Sequence, residues 1–270
     1  MGIKLYWRKL RVAPWIAWFK LRGRPTRDYE GQWQAYWSRA NQGEAENDVL
    51  WDAEDDTELQ AAMARFTPHA DRSLPVLDLG CGNGRRSRFL RQHFDRVIGV
   101  DVSPAAIELA TEQSEGIEGV TFQVLDGLDR EATAALAAEH GPVNLYLRGV
   151  FHVIHDKDRP TFLANLRTLL GDGGALYQLE TDGEALDYFL SHPEDSPSGL
   201  PKLMHRVIES GIVPHGFGPD DAEKWYGGAD WEILESGPSE IHTQDLAGQA
   251  GRVPAHVVIA RPVIAAGSAV

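Results

Sequence analysis

Between Leu74 and Glu180 short apolar runs alternate with amphipathic stretches, and that alternation predicts most of the fold. Pro75 to Leu79 is an apolar run ending in glycines, so a buried strand. Asn83 to His93 reads as a helix and Arg96 to Asp101 as a second strand. Ser103 then supplies an N-cap and Pro104 a proline at the first helical position, opening a helix to about Ser114. Val120 to Leu125 is a third strand, Asp129 to His140 an alanine-rich helix and Val143 to Val150 a fourth strand. Pro160 to Leu170 is a helix closed by Gly171, and Gly174 to Glu180 a fifth strand. Strands separated by helices of this length imply a parallel sheet with right-handed crossovers. Trp231 to Glu235 and Ala255 to Arg261 add two strands as an antiparallel edge. The predicted fold is α/β: a doubly wound, mostly parallel seven-stranded sheet with helices on both faces.

The pattern is less regular on either side. Residues 1–70 read as an aromatic-rich helical arm or cap, and 71–265 as the main domain. Within the latter, an insert near 181–228 contains two Pro-, Ser- or Gly-rich loops, His192 to Pro201 and Val213 to Asp221, expected to cover a substrate. Ala265 to Val270 reads as a frayed tail.

The first strand runs into Val76-Leu-Asp-Leu-Gly-Cys-Gly-Asn-Gly84. Glycines at 80, 82 and 84 let bare backbone approach a ligand where a Cβ would intrude. The dinucleotide fingerprint needs G-x-G-x-x-G to seat a pyrophosphate, and here Arg85 stands where it wants glycine. Asp78, inside the strand end, would repel a pyrophosphate and suits a cationic ligand.

This segment, VLDLGCGNG, resembles the first motif of the class I S-adenosylmethionine-dependent methyltransferases. The resemblance implies a Rossmann-like methyltransferase fold and a cofactor, S-adenosylmethionine, held by Asp78, Gly80, Cys81, Gly82 and Asn83. It places Asp101, ending VIGVD, on the ribose hydroxyls, where two acceptor oxygens suit a vicinal diol. It places Asp126, ending VTFQVLD, on the adenine amino group, with Val102 and Gly127 bordering the base. The likeness covers Leu74 to Glu180 well and the last two strands loosely.

Methyl transfer from a sulfonium is an in-line displacement, and a base is needed only if the acceptor must lose a proton. His155, just beyond the fourth strand, is the first candidate, since an imidazole suits a phenol or enol; a solvated or helix-capping histidine is the plainer reading. Glu180, ending the fifth strand, is a second residue expected to face the acceptor. Phe151-His152-Val-Ile resembles the L-H-H-[IL] segment of many small-molecule methyltransferases, which implies a packing role for His152. Arg148, near the end of the fourth strand, is expected either to clamp a carboxylate of cofactor or substrate or to pair with Asp78 or Glu180. No metal site is expected, because the spacing of His152, His155 and Asp156 is not diagnostic. Trp33, Tyr36, Trp37 and Trp51 resemble the aromatic N-terminal helix that closes over the sulfonium in related small-molecule methyltransferases; rings that fill the core under the extension are the plainer reading.

Charge narrows the partners. Residues 1–27 carry eight Lys or Arg and no acid, which leaves −22 on the remainder of a chain whose net charge is −14. An acidic body argues against a nucleic-acid substrate and for a small-molecule methyl acceptor. The basic arm, with Ile3, Trp7, Leu10, Trp18 and Leu21 at helical spacing, has three readings: a peripheral membrane contact, a cover on its own acidic body, or an arm onto the partner of a homodimer. One cysteine, Cys81, excludes an intrachain disulfide, and no run reaches the roughly 18 apolar residues of a membrane span. A cytoplasmic methyltransferase is the expectation, with a non-transferring S-adenosylmethionine-binding protein or an NAD-dependent oxidoreductase as alternatives.

Overall fold

The computed structural model describes residues 28–40, 49–193, 200–212, 215–246 and 248–263, together with Pro14. The basic arm expected over 1–27 lies outside these residues, Pro14 apart, as do 194–199 and 213–214 of the two expected loops and the tail from 264 onward.

Helices α1 (Tyr29–Ala40) and α2 (Thr57–Phe66) precede the sheet. There follow β1 (Val76–Leu79), α3 (Arg85–Leu90), β2 (Val97–Asp101), α4 (Pro104–Gln113), β3 (Val120–Val124), α5 (Arg130–His140) and β4 (Asn144–Arg148). A 3-10 turn (Phe151–Val153) leads to α6 (Arg159–Leu170) and β5 (Leu176–Thr181). Then come α7 (Ala185–Ser191), α8 (Lys202–Glu209), α9 (Pro219–Tyr226), β6 (Trp231–Leu246) and β7 (Gln249–Pro262). The sheet order is β3-β2-β1-β4-β5-β7-β6, with β1 to β5 parallel and β7 antiparallel to both neighbours.

The local signals read from the sequence act as expected. The Ser103 hydroxyl accepts from the Ala106 amide, with Pro104 opening α4, and the Asp129 carboxylate caps α5 through the Glu131 and Ala132 amides. Gly171 ends α6 with φ of 53°. The final hairpin is the main difference: its strands run to 16 and 14 residues, far beyond Trp231–Glu235 and Ala255–Arg261. Gly237-Pro238 and Pro254 hid the extra length. Pro238 lies on β6, an edge strand, where a missing N–H need leave no ladder bond unmade. Pro254 lies just past the end of β7's pairing with β5, which stops at Thr181 and Ala255. The tip of the hairpin therefore projects beyond the C-terminal ends of the parallel strands.

Strand alternation divides the side chains between two apolar layers. Val76, Tyr146, Tyr177 and Leu179 face the layer built with α1, α2, α3 and α8. Leu77, Leu79, Leu145, Leu147 and Leu176 face the layer built with α5, α6 and α9. The period of two also sorts the polar residues. Asp78, Tyr146 and Arg148 share the first face, whereas Gln178 and Glu180 share the second, because Arg148 pairs in register with Leu179. α2 enters the first layer through Leu59, Ala62, Met63 and Phe66, and Glu58 lies buried beside them.

Candidate active site

A cavity of about 970 Å³, its open mouth included, lies at the C-terminal ends of β1, β2, β3 and β4. Its position, outside the carboxyl ends of the strands where the strand order reverses, is where open α/β sheets bind ligands. Gly80 and Gly82 form one wall, Asp101 and Val102 another, and Asp126, Gly127 and Leu128 a third. Tyr29, Trp33 and Trp37 from α1 cover it, with Trp51 and Ile241 at the side.

The glycine turn is built for close contact. Gly82 has φ of 55°, and a Cβ there would stand 2.4 Å from the Trp37 ring. A Cβ on Gly80 would stand 2.4 Å from the Val150 side chain. Glycine at 82 thus admits the α1 indole against the loop as well as leaving backbone bare. The Gly82 amide donates to Asp101 Oδ2 at 3.0 Å and the Ser103 amide to Oδ1 at 2.9 Å, so the turn and the β2 acid fix each other. Burial raises the Asp101 carboxyl to about 6 despite these bonds.

Hydrogen bonds also dock α1 on the domain. Gln34 Oε1 accepts from the Ser103 hydroxyl at 2.8 Å and the Ala105 amide at 3.0 Å. Tyr29 Oη donates to Asp158 Oδ2 at 3.1 Å and accepts the His155 amide at 3.0 Å.

The expected site residues divide into those in the wall and those behind it. Gly80, Gly82, Asp101, Val102, Asp126, Gly127 and Arg148 line the cavity. Asp78 does not: it is buried under the loop, accepts the Ser87 hydroxyl at 2.6 Å, and is raised to about 6 by burial. It ties α3 to β1. Cys81 is also buried outside the wall, and burial, then the Asp101 and Asp78 charges, push its thiol well up, so it stays protonated. Asn83, buried outside the wall as well, donates to Asp52 at 2.6 Å.

Arg148 pairs with neither Asp78 nor Glu180. Its Nε and Nη2 donate to the two oxygens of Glu58 at 2.5 and 2.6 Å, and Nη2 also donates to the His242 carbonyl at 2.7 Å. Glu58 in turn accepts the His242 amide at 2.5 Å. Burial favours neutral forms for both groups. The partner's charge and hydrogen bonds overcome it, holding Glu58 below and Arg148 above their ordinary ranges. The reason for the difference is the sheet face. Glu180 points to the opposite side, and Asp78 is held by Ser87. Reasoning from the sheet alone missed Glu58, although a signal was present: residues 58, 62 and 66 fall at i, i+4 and i+8, so an acid stood on the apolar stripe of a helix.

The two expected catalytic residues are also rearranged. Glu180 is fully buried and does not line the cavity. It holds the turn after β4 by accepting the amides of Phe151 and His152 and the Nδ1–H of His152. His152 is the histidine in the cavity wall. His155 lies outside it, its ring 5.9 Å from that of Tyr29 and 6.3 Å from that of His215. The insert near 181–228, expected to cover the substrate, supplies no described residue to the wall. Its helices instead pack their apolar faces into the two core layers, and the cover comes from α1, Trp51 and the hairpin.

An α/β sheet of this order, with a glycine turn after β1 and acids at the end of β2 and just past β3, is a frame suited to a nucleoside at the switch point. Residues 76–174 match the family model described as a methyltransferase domain. A solved S-adenosylmethionine-dependent methyltransferase from Anabaena variabilis ATCC 29413 is 33% identical, with 86% of this chain and 94% of that one covered and a TM-score of 0.78. The chain belongs to the S-adenosylmethionine-dependent methyltransferases. Two more distant structures share the fold. One concerns conversion of a disulfide bond into a thioacetal group during echinomycin biosynthesis (19% identity, 87% and 95% covered, TM-score 0.66). The other is an S-adenosylmethionine-dependent methyltransferase from Methanosarcina mazei (16% identity, 73% and 96% covered, TM-score 0.53). Among the described residues no helix is long and apolar enough to cross a membrane.

The wall fits the cofactor. Carboxylates at Asp101 and Asp126 suit a diol and an amino group, and indoles at Trp33 and Trp37 suit a sulfonium. When bound, the cofactor supplies an electrophilic methyl group.

Proposed function

We propose that the enzyme methylates a small, largely apolar molecule carrying an acidic O–H, N–H or C–H, and that His152 removes the proton. The observation that carries this reading is the His152–Glu180 pair. A carboxylate can only accept, so Nδ1 carries the proton that Glu180 receives, and in the neutral ring Nε2 keeps the lone pair; His152 is the only histidine among the described wall residues. A fixed tautomer is what a base beside a reacting centre requires. Gly80, Gly82, Asp101 and Asp126 hold the nucleoside, the aromatic residues of α1 exclude water, and an acceptor enters against Val153, Ile154 and Ile241. The base role expected for His155 passes to His152, and Glu180 acts through it rather than on the acceptor. The −22 body and the apolar cover support a small-molecule acceptor over nucleic acid.

The test is release of S-adenosylhomocysteine from S-adenosylmethionine with a panel of phenols, enols and amines. Turnover that His152→Asn abolishes while cofactor affinity persists supports the reading. Cofactor binding with no release across the panel points to the non-transferring alternative, and a bound nicotinamide dinucleotide to the oxidoreductase.

A further inference from the structure

Residues 1–27 join the rest of the chain beside the cavity. Arg27 is two residues from Tyr29, which is half-buried and lines the wall, so at most about 7 Å of extended chain separates them. The wall there is largely apolar, with Trp33, Val153, Ile154 and Ile241. In sequence, the arm carries eight cations, no acid and three tryptophans, Trp7, Trp15 and Trp18. Its cations fall in two groups, Lys4 to Arg11 and Lys20 to Arg27, on either side of the apolar stretch Val12 to Phe19. That stretch is too short to cross a bilayer, but cations flanking indoles suit a segment lying among lipid headgroups. The domain itself offers the arm a poor seat. The large apolar side chains left exposed among the described residues are Ile117, Val124, Leu186 and Val263. They stand before β3, at its end, on α7 and past β7, and do not form one patch for three indoles. Acids around the junction already have partners. Asp28 accepts the Gly31 amide at 2.8 Å, Asp158 the Tyr29 hydroxyl at 3.1 Å, and Asp156 pairs with Arg159 at 2.9 Å and Lys224 at 3.1 Å.

We infer that residues 1–27 bind the surface of an anionic phospholipid bilayer, cations at the phosphates and indoles just beneath, and hold the cavity toward it. Charge complementarity drives the attachment, and it also sets the orientation. The −22 remainder of the chain is repelled by an anionic surface, so contact is confined to the arm and to the end of the domain from which it leaves. Nucleic acid is the other polyanion a basic arm could meet. It would give the apolar stretch and its indoles no seat, and the acidic body would oppose it.

The test is co-sedimentation of the full chain with vesicles of phosphatidylcholine alone or mixed with phosphatidylglycerol. Mixed vesicles should bind at least about tenfold more tightly, and raising salt from about 0.1 to 0.5 M should remove most of that gain. A variant combining Trp7→Ala, Trp15→Ala and Trp18→Ala keeps every charge and should bind mixed vesicles about tenfold more weakly. Orientation is read with a fluorophore at Glu30→Cys, beside the junction, or at Asp172→Cys, in the exposed loop entering β5 at the opposite end of the sheet from the cavity. Cys81 is buried and protonated, so only the introduced thiol is labelled. Nitroxide-bearing lipid should quench the first label and leave the second bright. Equal affinity for the two vesicle types, or no loss in the tryptophan variant, overturns the membrane seat, and equal quenching overturns the orientation. So does a chain that ignores both vesicles and instead dimerises at low salt or binds duplex DNA. None of these readouts needs turnover, so failure of the acceptor panel would overturn the proposed reaction and leave the membrane result standing.

Discussion

Glu180 holds His152 by ring and backbone together, accepting its Nδ1–H and its amide while also taking the Phe151 amide at 2.9 Å. Both residues are buried, so the carboxylate fixes ring orientation and tautomer. A glutamine at 180 could still accept a backbone N–H, but its amide can donate to Nδ1 and move the ring proton to Nε2. Glu180→Gln should therefore lower turnover by about two to four orders of magnitude, with S-adenosylhomocysteine affinity changed less than about threefold. Single-turnover assays and calorimetry on the same preparation read the two effects. Equal turnover in variant and wild type would remove His152 as the base.

The Glu58–Arg148 pair ties α2, β4 and the tip of the β6–β7 hairpin into one unit. Removing one partner leaves the other charge buried and alone. Glu58→Gln should cost roughly 3–5 kcal/mol, measured by urea unfolding. Replacing both residues with methionine should recover a large part of that loss, because no uncompensated charge then remains.

If Asp101 holds the cofactor as proposed, its carboxyl, raised by burial to about 6, should make cofactor binding sensitive to acid. Its pKa in the folded chain exceeds the unfolded value of about 4. Between these values the native state binds more protons than the unfolded state, so this group's contribution to stability falls as pH rises through the window. With the ribose seated on Asp101 as proposed, ligand binding has the opposite preference, since the ionised form offers acceptors to both ribose hydroxyls. Affinity for S-adenosylhomocysteine should weaken as pH falls from 7 to 5. Asp101→Asn should bind at least tenfold more weakly at pH 7 and lose most of that pH dependence. A wild-type affinity that stays flat across this range would refute the assignment.

Gly82→Ala should weaken both the fold and the cofactor site. The residue has φ of 55°, and the new Cβ would meet Trp37 at 2.4 Å. A loss of about 1–3 kcal/mol in thermal or urea unfolding is expected. Combining it with Trp37→Ala should restore the part due to the clash and leave the part due to the backbone. The double-mutant cycle measures that division.

The sequence by itself determined the central sheet and the cofactor. Apolar runs, caps at Ser103 and Asp129 and the stop at Gly171 act over a few residues, so their physics is contained in neighbouring letters. The positions of Gly80, Gly82, Asp101 and Asp126 followed as well, because a strand end feeding a turn places its last residues at the sheet's edge. What only the tertiary structure decided were the partners of buried charges. Arg148 and Glu180 lie on adjacent strands yet on opposite faces, a consequence of a register that no single strand encodes. The pairing of Arg148 with Glu58 joins residues 90 positions apart and needs α2 laid on the sheet. The exchange of His155 for His152 in the wall is a matter of how one short turn is oriented, and that orientation is set by a carboxylate on a different strand. Periodicity reports which way a side chain points within its own element. The cation, acid or ring it meets depends on how the elements are stacked.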